Sequence, residues 1–130
     1  MKDKFFSLKD APIKELEGRR MYMLITPETV KSNNISMVLI KVKQGQTVRP
    51  CHSHPTSEET IYIIQGEGDA WIDGEISAFK ANTAIVFPRD AKHMIRNTGN
   101  SELEVLCVFS PPVTPESYQL FRNIGFKEEK

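Results

Sequence analysis

The sequence predicts an all-β protein, a sandwich or barrel of short strands with one helix near the C-terminus. Two observations predict this fold class. Most apolar residues fall in short runs rich in β-branched and aromatic side chains, a composition typical of strands. Glycine, proline, asparagine and aspartate separate these runs, and no helical pattern alternates with them, which argues against a βαβ fold.

The clearest strand covers residues 35–43, ISMVLIKVK, and both of its alternating sets of side chains are largely apolar. This pattern predicts that both faces of the strand are covered. Met21 and Met23 alternate on an earlier strand, and Asp73-Gly74 indicates a tight hairpin. Further strands are predicted over residues 59–64, 70–72, 84–87, 93–97 and 103–109.

Helix signals are confined to the C-terminal region. Thr114 is suited to the N-cap position, Pro115 to the first helical position and Gly125 to the C-terminal stop. Apolar residues recur at helical spacing between them, which predicts a short helix. Residues 7–18 fit either a loop or a short helix, because Pro12 interrupts the segment.

Length and charge narrow the class of protein. The chain has 130 residues, the size of one domain, and we expect a single domain over residues 1–130. Because 17 basic residues balance 17 acidic ones, no overall field attracts nucleic acid or an anionic membrane surface. No apolar run approaches the ~20 residues of a membrane-spanning helix, and no signal-peptide pattern is present. Two cysteines, Cys51 and Cys107, make no disulfide framework, so we expect a cytoplasmic location.

Three histidines and one glutamate form the most informative pattern. His52 and His54 are two residues apart, so on a strand both imidazoles project to the same face. Glu59 and His93 add a carboxylate and a third imidazole, and such groups are ligands for divalent metals. Four ligands leave an octahedral ion two open positions, as a catalytic site needs. Taken singly, a His-X-His pair can lie on a surface strand, Glu59 can belong to a solvated turn, and His93 can be a core residue.

The arrangement as a whole resembles the first motif of the cupin family, over residues 45–66. This motif contains a glycine, a His-X-His pair, a glutamate and a closing glycine at set intervals. Here Gly45, His52, His54, Glu59 and the closing Gly66 occupy those positions. One departure is that six residues rather than five separate Gly45 from His52.

Residues 82–97 are similar to the second cupin motif, whose histidine corresponds to His93. Its two glycines are replaced by Asn82 and Asp90. After glycine, asparagine and aspartate adopt the left-handed turn conformation most readily, so we expect turns at both positions.

The resemblance implies a jelly-roll barrel, a double-stranded β-helix, with one divalent metal ion per chain. His52, His54, Glu59 and His93 would be the ligands, and Mn, Fe, Co, Ni and Zn all suit such a set. It also implies an enzyme, of dioxygenase or decarboxylase type, acting on a small oxygenated organic molecule, with Glu59 as ligand or base. The alternatives are a non-catalytic cupin that binds or senses a sugar or small acid, an isomerase or lyase, and a purely structural metal.

Strand alternation predicts the placement of the neighbouring residues. Cys51 and Arg49 fall on the side opposite the histidines, so we expect neither in the site. No arginine or lysine has a spacing that guarantees an inward position, so the sequence does not specify a strongly anionic substrate held by side-chain charge. The apolar character of both faces of residues 35–43, together with the apolar N-terminal Phe5 and Phe6, predicts a homodimer.

Overall fold

The computed structural model describes residues 2–113 and 117–127 and consists of two antiparallel β-sheets. Strands β1 to β11 are Ile13–Leu16, Arg19–Ile25, Ser36–Val42, Cys51–Ser53, Glu58–Gln65, Glu67–Ile72, Glu75–Lys80, Ala84–Phe87, His93–Asn97, Leu103–Ser110 and Gln119–Phe121. Single turns of 3-10 helix cover Lys2–Lys4 and Leu8–Asp10. The six-stranded sheet has the order β1-β2-β3-β10-β5-β8, and the five-stranded sheet has the order β11-β4-β9-β6-β7. This is the all-β jelly roll that the sequence predicts. No helix within the described ranges is long and apolar enough to cross a membrane.

One hydrophobic core lies between the two sheets. It forms because apolar side chains alternate along the strands, so that one face of each strand is removed from water. Most of the core comes from β3, β5 and β10 of the six-stranded sheet, and β6, β7 and β9 contribute the opposite wall. The core residues include Val38, Ile40, Val42, Ile61, Ile63, Leu103, Val105, Phe109, Ala70, Phe79 and Ile95.

The predicted strands are confirmed, and the second face of β3 is covered at Leu39, while Met37 and Lys41 on that face are half-buried. Leu39 points away from the main core and is nevertheless only 6% exposed. Tyr22 on β2 and Leu106 on β10 flank it in register, so its cross-strand neighbours shield it from water. The predicted hairpin joins β6 to β7 through Asp73-Gly74, where φ is 47° and 96°.

The predicted C-terminal helix is wrong over the residues that the structure describes there. Gln119–Phe121 forms the edge strand β11, in which Leu120 pairs with His52 of β4. Pairing with β11 satisfies the backbone hydrogen-bonding groups along the free edge of β4. The stability gained from these hydrogen bonds overrides the local preference for a helix. Thr114 and Pro115, which were expected to start the helix, lie outside the described residues.

The ambiguous segment 7–18 contains one 3-10 turn and the strand β1. A tight turn at Glu17 and Gly18 then leads into β2. Gly18 has a φ of 81°, and a Cβ at this position would collide with the Thr47 carbonyl. The turn sets the register of β2 and places Arg19 at the start of that strand.

Candidate metal centre

Four buried side chains converge between the two sheets. His52 on β4 lies opposite His93 on β9 in the strand register. His54 follows directly after β4, while Glu59 lies on β5 of the other sheet. The candidate ligand atoms of these four residues all lie within 4.8 Å of one another. The structure thus brings together the four residues that the sequence analysis selected.

A turn in the second motif anchors His54. Asp90 has a φ of 70° and Asn82 a φ of 67°, the left-handed conformation expected at both positions. The Asp90 amide donates a hydrogen bond to the His54 carbonyl oxygen, at 3.1 Å. The Ser53 hydroxyl donates to Asp90 Oδ1 at 3.4 Å, so the turn also holds the end of β4.

Backbone carbonyl groups orient two of the imidazole rings. His52 Nδ1 is 3.0 Å from the Pro50 carbonyl oxygen, and His93 Nδ1 is 3.0 Å from the Ala91 carbonyl oxygen. A neutral ring whose Nδ1–H donates to a carbonyl keeps the lone pair of Nε2 for another partner. This is the tautomer in which a histidine binds a metal through Nε2.

His54 tests whether a metal fits the site. His54 is 2% exposed, and neither of its ring nitrogens makes a hydrogen bond to the described residues. Its Nε2 lies 3.3 Å from Glu59 Oε1 without the geometry of a hydrogen bond, and His93 Nε2 lies 3.1 Å from the same oxygen. Buried polar atoms are almost always paired, and lone pairs that converge on a carboxylate repel unless a proton or cation lies among them. A divalent cation meets both conditions, so the four residues fit a metal ion.

The charge states of two of these groups suit metal binding. Burial, together with the neighbouring His93, lowers the pKa of His52 to about 3, which keeps this imidazole neutral near pH 7. Burial opposes ionisation of Glu59, but its close contacts with His54 and His93 outweigh that effect and hold the pKa of the carboxyl below its usual range. The site therefore offers a neutral imidazole and an ionised carboxylate.

Aromatic rings enclose the imidazoles. Phe87 stacks on His93 with 4.1 Å between ring centroids and 3° between planes, and Phe109 meets His54 edge-on at 5.1 Å. Tyr118, just before β11, stacks on His52 at 5.5 Å and meets His54 edge-on at 4.4 Å. These contacts limit the rotation of the imidazole rings.

A cavity of about 40 Å³ adjoins the four residues. One water molecule needs a cavity of roughly 10–15 Å³. The cavity therefore has room for an ion with a few small ligands. Its walls are mainly apolar, and the lining residues include Met21, Val38, Ile40, Ile61, Phe87 and Phe109. Charges inside such a wall interact more strongly than in water.

Three lining residues with polar or titratable side chains were not assigned to the site from the sequence: Arg19, Cys107 and Tyr118. Arg19 has the same strand parity as Met21 and Met23, and that alternation could have placed it inward. Cys107 was expected to be a small core residue and is buried in the core, where burial and the nearby Glu59 carboxylate raise the pKa of its thiol. Tyr118 carried no usable signal, because it reaches the site only through the unpredicted strand β11.

The residues expected to lie away from the histidines have mixed outcomes. Cys51 does point away, but it is 1% exposed because it packs with Trp71, Met94 and Phe126 on the other face of the sheet. Burial raises the pKa of its thiol to about 11. Arg49 does not line the cavity at the four residues; it is half-buried and lines a cleft beside the site.

The cupin resemblance was tested against known proteins. The family model described as the cupin domain matches residues 38–109, which is more than half of the chain. The chain belongs to the cupin family. The matched segment contains both motifs, residues 45–66 and 82–97, and with them His52, His54, Glu59 and His93.

Two proteins are similar to this cupin in sequence. The polyketide synthase CurC of Streptomyces cyaneus is 32% identical over 104 residues, which are 76% of this chain and 67% of CurC. An uncharacterised protein of Methanocaldococcus jannaschii is 38% identical over 104 residues, 80% of this chain and 82% of its own length.

The fold matches that of a solved enzyme, the oxalate decarboxylase of Lactobacillus farciminis in its formate complex. The TM-score is 0.77 at 26% identity, over 87% of this chain. The chain spans only 34% of that decarboxylase, about a third of its length.

Proposed function

We propose that this cupin is a metal-dependent enzyme, of dioxygenase or decarboxylase type, that acts on a small oxygenated organic molecule. One divalent ion per chain, of Mn, Fe, Co, Ni or Zn, would be held by His52, His54, Glu59 and His93. The observation that carries the proposal is the buried His54 ring, whose two nitrogens make no hydrogen bond to the described residues and whose Nε2 faces the Glu59 carboxylate.

The donor set also favours a reactive ion over a structural one. Three neutral imidazoles and one carboxylate leave a divalent ion with net positive charge and, in octahedral geometry, two open positions. Structural zinc sites are usually closed and tetrahedral, with cysteine ligands. When bound, such an ion polarises a carbonyl or carboxylate, or activates dioxygen if it is redox-active.

The residues around the site favour some classes of reaction over others. Glu59 is 6% exposed and lies between His54 and His93, a position that favours its role as a ligand over that of a mobile base. Among the described lining residues, no further carboxylate or imidazole is present to remove a proton. Isomerase and lyase chemistry needs such a base, so oxygenase or decarboxylase chemistry has better support. Similarity to an oxalate decarboxylase agrees with this class, although one fold hosts many reactions.

The first experiment is elemental analysis of native, untagged protein. We expect one equivalent of Mn, Fe, Co, Ni or Zn per chain, and its loss in His54→Gln and Glu59→Gln, because each substitution removes a ligand. Ser53→Ala is the matched control, since Ser53 lies between two ligands on the same segment and its hydroxyl makes only the 3.4 Å contact with Asp90. Protein that stays metal-free after reconstitution with each of these ions would show the proposal to be wrong.

The enzymatic part of the proposal needs a separate assay. The metal-loaded protein is incubated with a panel of carboxylic acids, sugars and diphenols, and both dioxygen consumption and carbon dioxide release are measured. We expect turnover of at least one compound that disappears in His54→Gln. A metal-loaded protein that binds a compound tightly and turns over none would instead be a binding or sensing cupin.

A further inference from the structure

A second cavity, of about 390 Å³, opens beside the metal centre. We name it the basic cleft, and its described lining residues are Lys14, Leu16, Glu17, Arg19, Met21, Met23, Arg49, Pro50, Val113, Tyr118, Leu120 and Arg122. Arg19, Met21 and Tyr118 also line the small cavity at the metal centre, so the two spaces share a wall. The volume of the basic cleft lies in the range of small-molecule sites, whereas the inner cavity accepts only a few atoms.

The charges of the cleft are strongly one-sided. Four cationic side chains and a single carboxylate line it, although the whole chain has no net charge. That carboxylate, on Glu17, lies 4.0 Å from Arg122 Nη1 and offsets only part of the positive charge. A concave surface lined by charge of one sign attracts ligands of the opposite sign.

Arg19 is the best-placed of these cations. Its Nη1 donates hydrogen bonds to the carbonyl oxygens of Arg49, at 2.9 Å, and Glu17, at 3.1 Å, which fix the guanidinium between the two cavities. The other guanidinium nitrogens make no hydrogen bond to the described residues, and a planar guanidinium is suited to bind a carboxylate. Its charge is partly removed from water, so an ion pair there is screened less than one at the surface.

The remaining wall of the cleft is apolar. Leu16, Met21, Met23, Val113 and Leu120 form it. Such a wall binds a hydrocarbon skeleton, and the unbranched methionines adapt to its shape. A ligand that matches both features has one acidic group and an apolar body.

We propose that the basic cleft binds the substrate of this enzyme as a carboxylic acid with an apolar body, and that Arg19 pairs with its carboxylate. The inference rests on the proposed function, because it supplies the substrate class of the same site. It predicts a substrate that is considerably larger than a two-carbon acid, since its body fills the cleft while only its reacting end reaches the inner cavity. Arg19 acts as a specificity-determining residue, and Tyr118 separates the body of the substrate from the ligands.

The test is a calorimetric titration of the full chain with a matched pair of probes, 2-naphthoate and its uncharged amide. We expect 2-naphthoate to bind at least tenfold more tightly than the amide, and Arg19→Gln to abolish that preference. Arg20→Gln is the matched control, because the neighbouring Arg20 lies on the opposite face of β2, where it pairs with Glu15 on the surface. Arg122→Gln, at an exposed position, supplies a second variant if Arg19→Gln fails to fold, and we expect it to weaken binding of 2-naphthoate about threefold.

Several results would overturn the proposal. They are equal affinities for the acid and the amide, no binding of either probe, equal effects of Arg19→Gln and Arg20→Gln, or a more than tenfold preference for 2-naphthyl phosphate. Repeating the titration on the His54→Gln variant separates the two proposals. If the protein prefers the acid but never takes up metal, the proposal for the basic cleft stands and the metal proposal fails. If it takes up stoichiometric metal but shows no preference for the acid, the metal proposal stands and the proposal for the cleft fails.

Discussion

At the scale of single residues, the orientation of the imidazoles depends on contacts around them as much as on their own positions. Carbonyl groups hold Nδ1 of His52 and His93, whereas His54 has no such hydrogen bond. The ring of Tyr118 contacts both His52 and His54. His54 therefore depends on Tyr118 and Phe109 for its orientation.

Removing the Tyr118 ring should loosen the metal site. We expect Tyr118→Ala to weaken metal affinity about tenfold, since loss of supporting residues around metal ligands typically costs 10–100-fold. Tyr118→Phe keeps both ring contacts and should stay within about twofold of the unmodified protein. The measurement is competition with a chelator of known affinity. Equal affinities for the two variants would contradict the supporting role of the ring.

At the scale of elements, the segment after β11 covers the outer face of the five-stranded sheet. Phe126 is 6% exposed and packs against Cys51, Trp71 and Met94. The Arg96 guanidinium lies 4.0 Å from the centroid of the Phe126 ring, a cation–π contact. Because β4 carries Cys51 on this face and His52 on the other, the segment also supports the strand that bears a candidate ligand.

Truncating Phe126 tests this support. We expect Phe126→Ala to destabilise the protein by about 3 kcal/mol, the usual cost of removing a buried aromatic ring. Urea denaturation measures this change, and the rate of Cys51 alkylation at pH 8, followed by peptide mass spectrometry, should rise because the thiol becomes accessible. Ile124→Ala is the control, since Ile124 belongs to the same segment and is 41% exposed. An unchanged alkylation rate in Phe126→Ala would mean that the segment does not cover Cys51.

At the scale of the whole molecule, the outer face of the six-stranded sheet carries a row of apolar side chains beside a charged row that includes Arg20 and Lys41. A row of residues in register crosses it from β1 to β8: Ile13, Tyr22, Leu39, Leu106, Tyr62 and Ala84. Beside this row, Ile64 is 44% exposed and Val86 is 49% exposed. Exposed apolar side chains in such a row are typical of a surface that associates with another protein, which agrees with the homodimer predicted from the sequence. The dimer and the cytoplasmic location both stay predictions.

Light scattering after gel filtration tests the dimer. We expect a mass of twice the 14.8 kDa chain, and a shift to the monomer in Ile64→Lys, which places a charge on the outer face. Ile76→Lys is the control, because Ile76 is 50% exposed on β7 of the other sheet. A single 14.8 kDa species for the unmodified protein would rule the dimer out.

The sequence by itself determined the features that depend on local order. The strands of the core, the hairpin at Asp73-Gly74 and the left-handed turns at Asn82 and Asp90 follow from the alternation of side chains and the conformational range of single residues. The grouping of His52, His54, Glu59 and His93 followed from the resemblance to the cupin motifs, whose spacing reflects the same geometry.

Only the tertiary structure decided the features that depend on distant pairing. Gln119–Phe121 lies in a region with helical spacing, yet it forms a strand because β4 offers it a free edge. That pairing brings Tyr118 over the imidazoles, while the turn at Gly18 brings Arg19 to the boundary between the two cavities. Alternation on β2 gives the side to which Arg19 points, but which segments face it, and the position of Tyr118, depend on backbone hydrogen bonds and apolar burial over the whole chain.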